Sequence, residues 1–176
     1  IKSAGNKFDA AIMRYMRRKH NVIIGERTAE QVKMRIGAVY EHAVAKEYEV
    51  KGRCLLQGLP KVVTVSSKEM LEAMMEPITD VLDAIYAVIE KTPPELIGDI
   101  LKTGIILTGG GCQLYGLDKL ITELTGIKAK VMENPELCVV KGTGKAIEYL
   151  DDMPEGIVDL SKVKAKHRMQ SGGTKR

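Results

Sequence analysis

The sequence predicts an α/β protein in which a parallel strand layer is joined to a smaller α+β lobe, and three observations predict it. The first is a strand–helix–strand succession. Ile105, Ile106 and Leu107 form a short apolar run that stops at Gly109, Gly110 and Gly111. A helical stripe of Leu117, Leu120, Ile121 and Leu124 follows, closed by Gly126, and Ala129 to Met132 form a second apolar run. Two strands joined by a helix lie parallel, and β-branched runs of this kind read as strands buried on both faces. The second observation is a change to period-two alternation from Lys46 to Gly52 and from Lys61 to Ser66, which reads as an antiparallel pair. The third is a long helical stripe from Met70 to Ile89.

Composition limits the classes of function. The chain has 176 residues, 44% of them hydrophobic and 28% charged, with a formal net charge of +4, which suits one well-buried domain or two small ones. No apolar run approaches the roughly 20 residues that span a bilayer, and no secretory leader is visible. Cys54, Cys112 and Cys138 are too few and too scattered for a disulfide framework, which favours a reducing, cytoplasmic setting. His20, His42 and His167 are equally dispersed, so no metal site is expected.

In chain order, Phe8, Ala11, Ile12, Tyr15 and Met16 place one apolar stripe on a helix from about Lys7 to His20. Arg14, Arg17, Arg18 and Lys19 fall mostly off that stripe, as a solvated face at a helix C-terminus. Asn21 ends the helix, and Val22 to Ile24 read as a connector to Gly25. Thr28 and Gln31 are spaced as a capping box, and Ala29, Val32, Ile36 and Val39 as a buried stripe. Glu30 and Lys33, three apart, are expected to share an exposed face near the start of that helix. Their bland reading is a surface ion pair, and their functional reading is a pair able to bond ribose hydroxyls beside an adenine edge.

Tyr48, Val50, Val63 and Val65 share one face of the hairpin, whose loop holds Gly58 and Pro60. Ser66 and Glu69 form another capping box, and the helix after it continues to Lys91, with Pro77 expected to bend it. Pro93 and Pro94 end it, and Pro94 suits the first turn of a shorter helix carrying Leu96, Ile97, Ile100 and Leu101. At the glycine turn the lack of Cβ atoms lets a ligand lie against the backbone, with free N–H groups facing an anion or a polar ring. A final helix from Pro135 is expected to face Leu137, Val140, Ile147 and Leu150 inward, with Gly142 and Gly144 packed against neighbouring backbone. Residues 154–176 form a basic tail expected to be disordered.

Two strands are too few for a doubly wound layer. Missing sheet partners are therefore expected before Ile1, in a longer protein of which this is the C-terminal part. Ile1 itself reads as the end of a strand entering the first helix.

Six blocks carry a resemblance: Ile1-Lys-Ser-Ala-Gly5 with Phe8-Asp9, Ile24-Gly-Glu-Arg-Thr-Ala-Glu-Gln-Val-Lys33, Gly58-Leu-Pro60, Thr92-Pro-Pro-Glu-Leu96, Gly104-Ile-Ile-Leu-Thr-Gly-Gly-Gly111 and Cys138-Val-Val-Lys-Gly-Thr-Gly144. In that order they resemble the second half of the MreB/Mbl family of bacterial actin homologues, over about Ile1 to Leu150. The resemblance implies an actin-like (ribonuclease H-like) nucleotide-binding fold, shared with sugar kinases and heat-shock chaperones. Residues 1–21 and 76–153 would form the larger subdomain, with 22–75 inserted as the smaller one. It implies ATP-bound double protofilaments beneath the membrane, which guide cell-wall synthesis in rod-shaped cells.

Carried over by position, Glu30, Gln31, Val32 and Lys33 match the helix that contacts ribose and adenine. Gly109, Gly110, Gly111 and Cys112 match the turn under the adenosine and α-phosphate. Asn6 stands where the family commonly has Asp, and Cys112 replaces a small residue such as Ala or Ser. The expected cofactor is ATP or ADP with Mg2+, the Mg2+ contacts, phosphate loops and catalytic glutamate lying upstream, so no catalytic residue is assigned here. Expected partners are further copies of the protein, its own N-terminal half, and the proteins of cell-wall elongation and membrane morphogenesis. The membrane would be met mainly through segments absent from this chain, the location being cytoplasmic and membrane-associated, and no nucleic acid is expected. Two other classes fit parts of the pattern. Gly109, Gly111 and Glu133 imitate a dinucleotide-binding spacing, although Leu114 occupies its third glycine position. A filament or adaptor module without ATP turnover is the other.

Overall fold

The computed structural model describes residues 5–41 and 44–148. The chain divides into two compact units, 1–139 and 140–176. In the first unit, α1 (Gly5–Lys19) is followed by β1 (Val22–Ile23), α2 (Glu26–Ile36), β2 (Glu47–Cys54), β3 (Pro60–Ser66) and α3 (Ser67–Lys91). Then come α4 (Pro94–Thr103), β4 (Ile105–Leu107), a 3-10 turn (Gly110–Gln113), α5 (Leu117–Thr125), β5 (Ala129–Val131) and a second 3-10 turn (Pro135–Leu137). The last helix, α6 (Cys138–Glu148), runs into the second unit. The expected strand at Ile1, Leu150 and the tail 154–176 lie outside the described residues.

The core forms where the stripes predict it. α1 packs against α2 and α3, and Ile12, Met16, Val32, Met70, Met74 and Ile78 are fully enclosed together with Val50 and Val65 of the hairpin. Each such side chain contributes about 1.5–3 kcal/mol through burial. Charged pairs fasten the same helices at their rims, Lys7 to Asp80 at 2.9 Å and Arg14 to Glu76 at 2.8 Å. The basic cluster of α1 is thus partly tied to α3.

Several local expectations change. Val22 and Ile23 are a strand, paired antiparallel with Cys54 and Arg53, so the sheet has the order β1-β2-β3. Two residues are too short to show alternation, and the partner arm β2 runs two residues beyond the expected Gly52. Thr28 and Gln31 do not form a capping box. The helix starts earlier, at Glu26, and Gly25 is its N-cap without a side-chain cap; its carbonyl accepts from Thr28 and Ala29. Ser66 and Glu69 do form theirs: Ser66 N–H donates to Glu69 Oε2 at 2.8 Å and Glu69 N–H to Ser66 Oγ at 3.3 Å. The α3 helix runs unbroken across Pro77.

β4 and β5 are parallel, Ile105 beside Ala129 and Leu107 beside Val131, with α5 as the connection. Gly126 ends α5 in the left-handed region at φ 70°, as its position predicts. The sheet is not buried on both faces, however, because Ile106 is 52% exposed. A strand of this composition needs a cover on each side, and among the described residues one face has none. Of the side chains expected to face inward from the last helix, Val140 and Ile147 are 63% and 64% exposed among the described residues, and Leu137 is exposed too. A Cβ on Gly142 or Gly144 would meet nothing within 4 Å among the described residues.

A backbone contact joins the end of α2 to the glycine turn. Ala38, just past α2, forms a parallel bridge with Tyr115, just past the glycine turn. Val39 N–H donates to the Tyr115 carbonyl at 3.0 Å, and Tyr115 N–H to the Gly37 carbonyl at 3.4 Å. Gly37 N–H in turn caps α2 through the Lys33 carbonyl at 2.8 Å. A side chain at Gly37 has no room, since its Cβ would run into that carbonyl and into Leu114.

Two predictions follow from these contacts. Gly37→Ala is expected to destabilise the chain by about 1–3 kcal/mol. Gly98→Ala, in the open middle of α4 where a Cβ meets nothing, is expected to stabilise it by about 0.5–1 kcal/mol; urea unfolding of both variants reads the contrast. Glu69 gives the second. Burial raises its carboxyl pKa, but hydrogen bonds from Ser66 and the contact with His20 at 2.7 Å outweigh burial and hold it below the usual carboxylate range. A depressed folded pKa stabilises above the unfolded value of about 4.3 and is lost as pH falls through the folded value. Glu69→Gln should therefore lower the urea midpoint at neutral pH, and the gap to the parent chain should close on acidification.

Candidate functional site

A cavity of about 660 Å³ opens between α1, α2 and the glycine turn, all within the first unit. Glu30, Lys33, Gly110 and Gly111 line it together. The middle and last turn of α2, rather than the helix start that the sequence predicted, and the bare turn, far apart in the chain, therefore face one space. Gly5 and Phe8 of α1 close one side, and Leu114 and Tyr115 lie below the turn.

The turn takes its shape from its glycines. Gly109 sits at φ 85°, a conformation that a side chain resists, and its N–H donates to the Pro135 carbonyl at 2.8 Å. The 3-10 turn then begins at Gly110, so the amides of Gly110 and Gly111 open a helical turn and have no partner within it. Neither has anything within 4 Å of its Cβ position. Bare backbone meets the cavity at this place. Cys112 stands behind this surface: its thiol is buried, donates to the Gly109 carbonyl at 2.9 Å, and has its pKa raised, chiefly by burial. Gln113 Nε2 donates to Glu136 Oε2 at 2.6 Å, which holds the turn against the segment after β5.

Along α2 the four expected residues separate by helical geometry. Glu30 and Lys33 face the cavity; Val32 is fully buried in the core and Gln31 is exposed outside the lining. Gly109 and Cys112 likewise shape the turn without lining the cavity. The expected Glu30–Lys33 surface pair does not form. Lys33 reaches Asp9 of α1 instead, with Nζ 2.9 Å from Oδ1 and 3.0 Å from Oδ2, and donates to Oδ2. The Gly5 carbonyl accepts from the same ammonium at 3.4 Å. The lysine and aspartate side chains are only 15% and 12% exposed. A carboxylate in this position needs a cation, and the nearest one on the facing helix supplies it.

Sequence reasoning missed Phe8, Gly37, Leu114 and Glu136 as parts of the site. Gly37 and Leu114 carry no chemistry and serve by close packing, which no local pattern announces. Asp9 did leave a signal, since it stands three residues before Ile12 and seven before Met16, on the stripe that becomes core. As chemistry, the cavity lining offers two exposed carboxylates (Glu30 and Glu136), the oriented ammonium of Lys33, two further cations (Arg35 and Lys46), the glycine backbone and an apolar wall, which suits a flat polar ring with hydroxyls attached. Among the described residues no group of three acidic, histidine or cysteine side chains could hold a metal ion. No helix among them is long and apolar enough to cross a membrane.

Comparisons with known proteins agree with this architecture. The family described as MreB/Mbl protein matches residues 1–155. The chain is 44% identical over 155 residues to the cell shape-determining protein Mbl of Bacillus cereus, covering 88% of this chain and 46% of that protein. It is 45% identical over 151 residues to the cell shape-determining protein MreB of Escherichia coli K12, covering 86% and 44%. Among solved structures, MreB5 of Spiroplasma citri bound to ADP superposes with a TM-score of 0.82 at 34% identity, covering 88% of this chain and 48% of that one. The MamK double helical filament, at 19% identity and a TM-score of 0.70, shares the fold. The chain spans less than half the length of the curated relatives it matches. With an actin-like α/β fold and a family match over most of its length, the chain belongs to the MreB/Mbl family.

Proposed function

We propose that this chain forms the adenosine-binding half of an ATP-binding, actin-like cytoskeletal protein, which assembles into membrane-associated filaments in the cytoplasm and guides cell-wall synthesis to maintain rod shape. The observation that carries the proposal is the single cavity lined by Glu30, Lys33, Gly110 and Gly111. In this reading Glu30 accepts from ribose hydroxyls, Lys33 donates to the nucleoside, and the Gly110 and Gly111 amides lie under the sugar and α-phosphate. Residues 1–21 and 76–153 form the larger subdomain and 22–75 the smaller. The crystal structures of Spiroplasma citri MreB5 hold ADP and AMPPNP, and their likeness to this chain supports a nucleotide in the corresponding cavity.

The lining offers contacts to a nucleoside, but the described residues offer none for the metal of a triphosphate. Lys33 is already committed to Asp9, and the described residues hold no acidic cluster for Mg2+. Phosphate and metal contacts, and any hydrolytic step, belong to residues outside this chain in the proposed filament protein. Further copies of the protein, its N-terminal half and the wall-elongation machinery are the partners in this reading.

Two outcomes test it. Calorimetry on the 176-residue chain should show no tight ATP binding, with a dissociation constant well above micromolar, because phosphate and metal contacts dominate nucleotide affinity; a submicromolar value would contradict the division of labour. For the full-length protein that carries this chain, sedimentation should depend on whether ATP, ADP or neither is present. Nucleotide-indifferent sedimentation would favour a filament or adaptor module without turnover.

A further inference from the structure

Asp9 lies behind the lining of the cavity, yet it is the strongest partner of a residue that lines it. α1 presents Asp9 on the face that packs against α2, where it is 8% exposed. Lys33 Nζ sits within 3.0 Å of both carboxylate oxygens, but only Oδ2 accepts an aligned N–H; Oδ1 is buried without a hydrogen-bond donor. The Gly5 carbonyl takes a second N–H of the same ammonium. Gly5 also fits tightly: a Cβ there would lie 3.3 Å from Nζ. An ammonium has three N–H donors on a flexible four-carbon stem, so two fixed acceptors on one helix leave the third donor with a set direction.

We propose that Asp9 is a positioning residue for nucleoside recognition, acting through Lys33; this rests on the reading of the cavity as a nucleotide site. The Asp9 carboxylate and the Gly5 carbonyl remove the rotational freedom of the lysine head before ligand arrives. They also cancel its charge, so that Lys33 presents a directed donor to a neutral acceptor rather than a mobile cation to a phosphate. Pre-organisation of this kind raises affinity by lowering the ordering cost of binding. No bond is made or broken, and Asp9 itself does not touch the ligand.

The test is a double-mutant cycle in the full-length protein that carries this chain, read by ADP titration. Lys33→Met is expected to weaken ADP binding on the order of tenfold, and Asp9→Asn, which keeps the shape and removes the charge, on the order of threefold to tenfold. In the Lys33→Met background the further loss from Asp9→Asn should shrink below about twofold, since a residue that acts through another has nothing left to act on. Thermal unfolding of all four proteins accompanies the titrations. The double variant leaves no unpaired buried charge, so it stays informative even where Asp9→Asn alone unfolds easily. Equal losses in both backgrounds would overturn the positioning role and leave the nucleotide site standing. An ADP affinity untouched by Lys33→Met would overturn both.

Discussion

The site depends on the short bridge between Ala38 and Tyr115. Glu30 and Lys33 belong to a helix in the first quarter of the chain, and Gly110 and Gly111 to a turn more than seventy residues later. What places them on one cavity is backbone: Val39 bonded to Tyr115, Tyr115 to Gly37, and Gly37 back to Lys33. Each of these bonds is worth only about 0.5–1.5 kcal/mol. Their value is geometric, since they lock the end of α2 to the end of the glycine turn. Gly37 permits the approach and buried Leu114 fills the space beneath it.

A second constraint works within this frame. Placing Asp9 between packed helices would leave a costly buried carboxylate unless a cation met it. Lys33 meets it, and the pair thereby ties α1 to α2 and fixes a donor at the cavity wall. At the other end of α1, His20 contacts Glu69 of the α3 capping box, and Tyr15 O–H donates to Glu72 at 2.8 Å. Burial and the Glu72 carboxylate together raise the Tyr15 pKa far above its ordinary value, so the phenol stays a donor. α1 is thus the element on which both neighbouring helices are registered.

How much of this was legible in the sequence follows from distance along the chain. The stripes of α1 and α3, the hairpin and the Ser66–Glu69 cap were readable because periodicity and capping are local. β1 was not, because a strand of two residues exists only through its partner. Thr28 was misplaced because a glycine N-cap leaves no side-chain signature. The outward exposure of Ile106, Val140 and Ile147 was not readable either: composition tells that a residue seeks cover, not whether cover is present. At the site, Glu30, Lys33, Gly110 and Gly111 were singled out by a family resemblance, and in the structure all four line one cavity. The Asp9 partnership needed coordinates, since only packing of α1 on α2 brings residues twenty-four apart to 2.9 Å.

The account stands on one cavity serving one ligand from both sides. The most direct measurement is a titration of the isotopically labelled chain with millimolar ADP, followed by backbone amide resonances. The predicted result is that Lys33, Gly110 and Gly111 shift together along a single binding curve. Shifts confined to the glycine turn with α2 silent, or separate curves for the two, would contradict it.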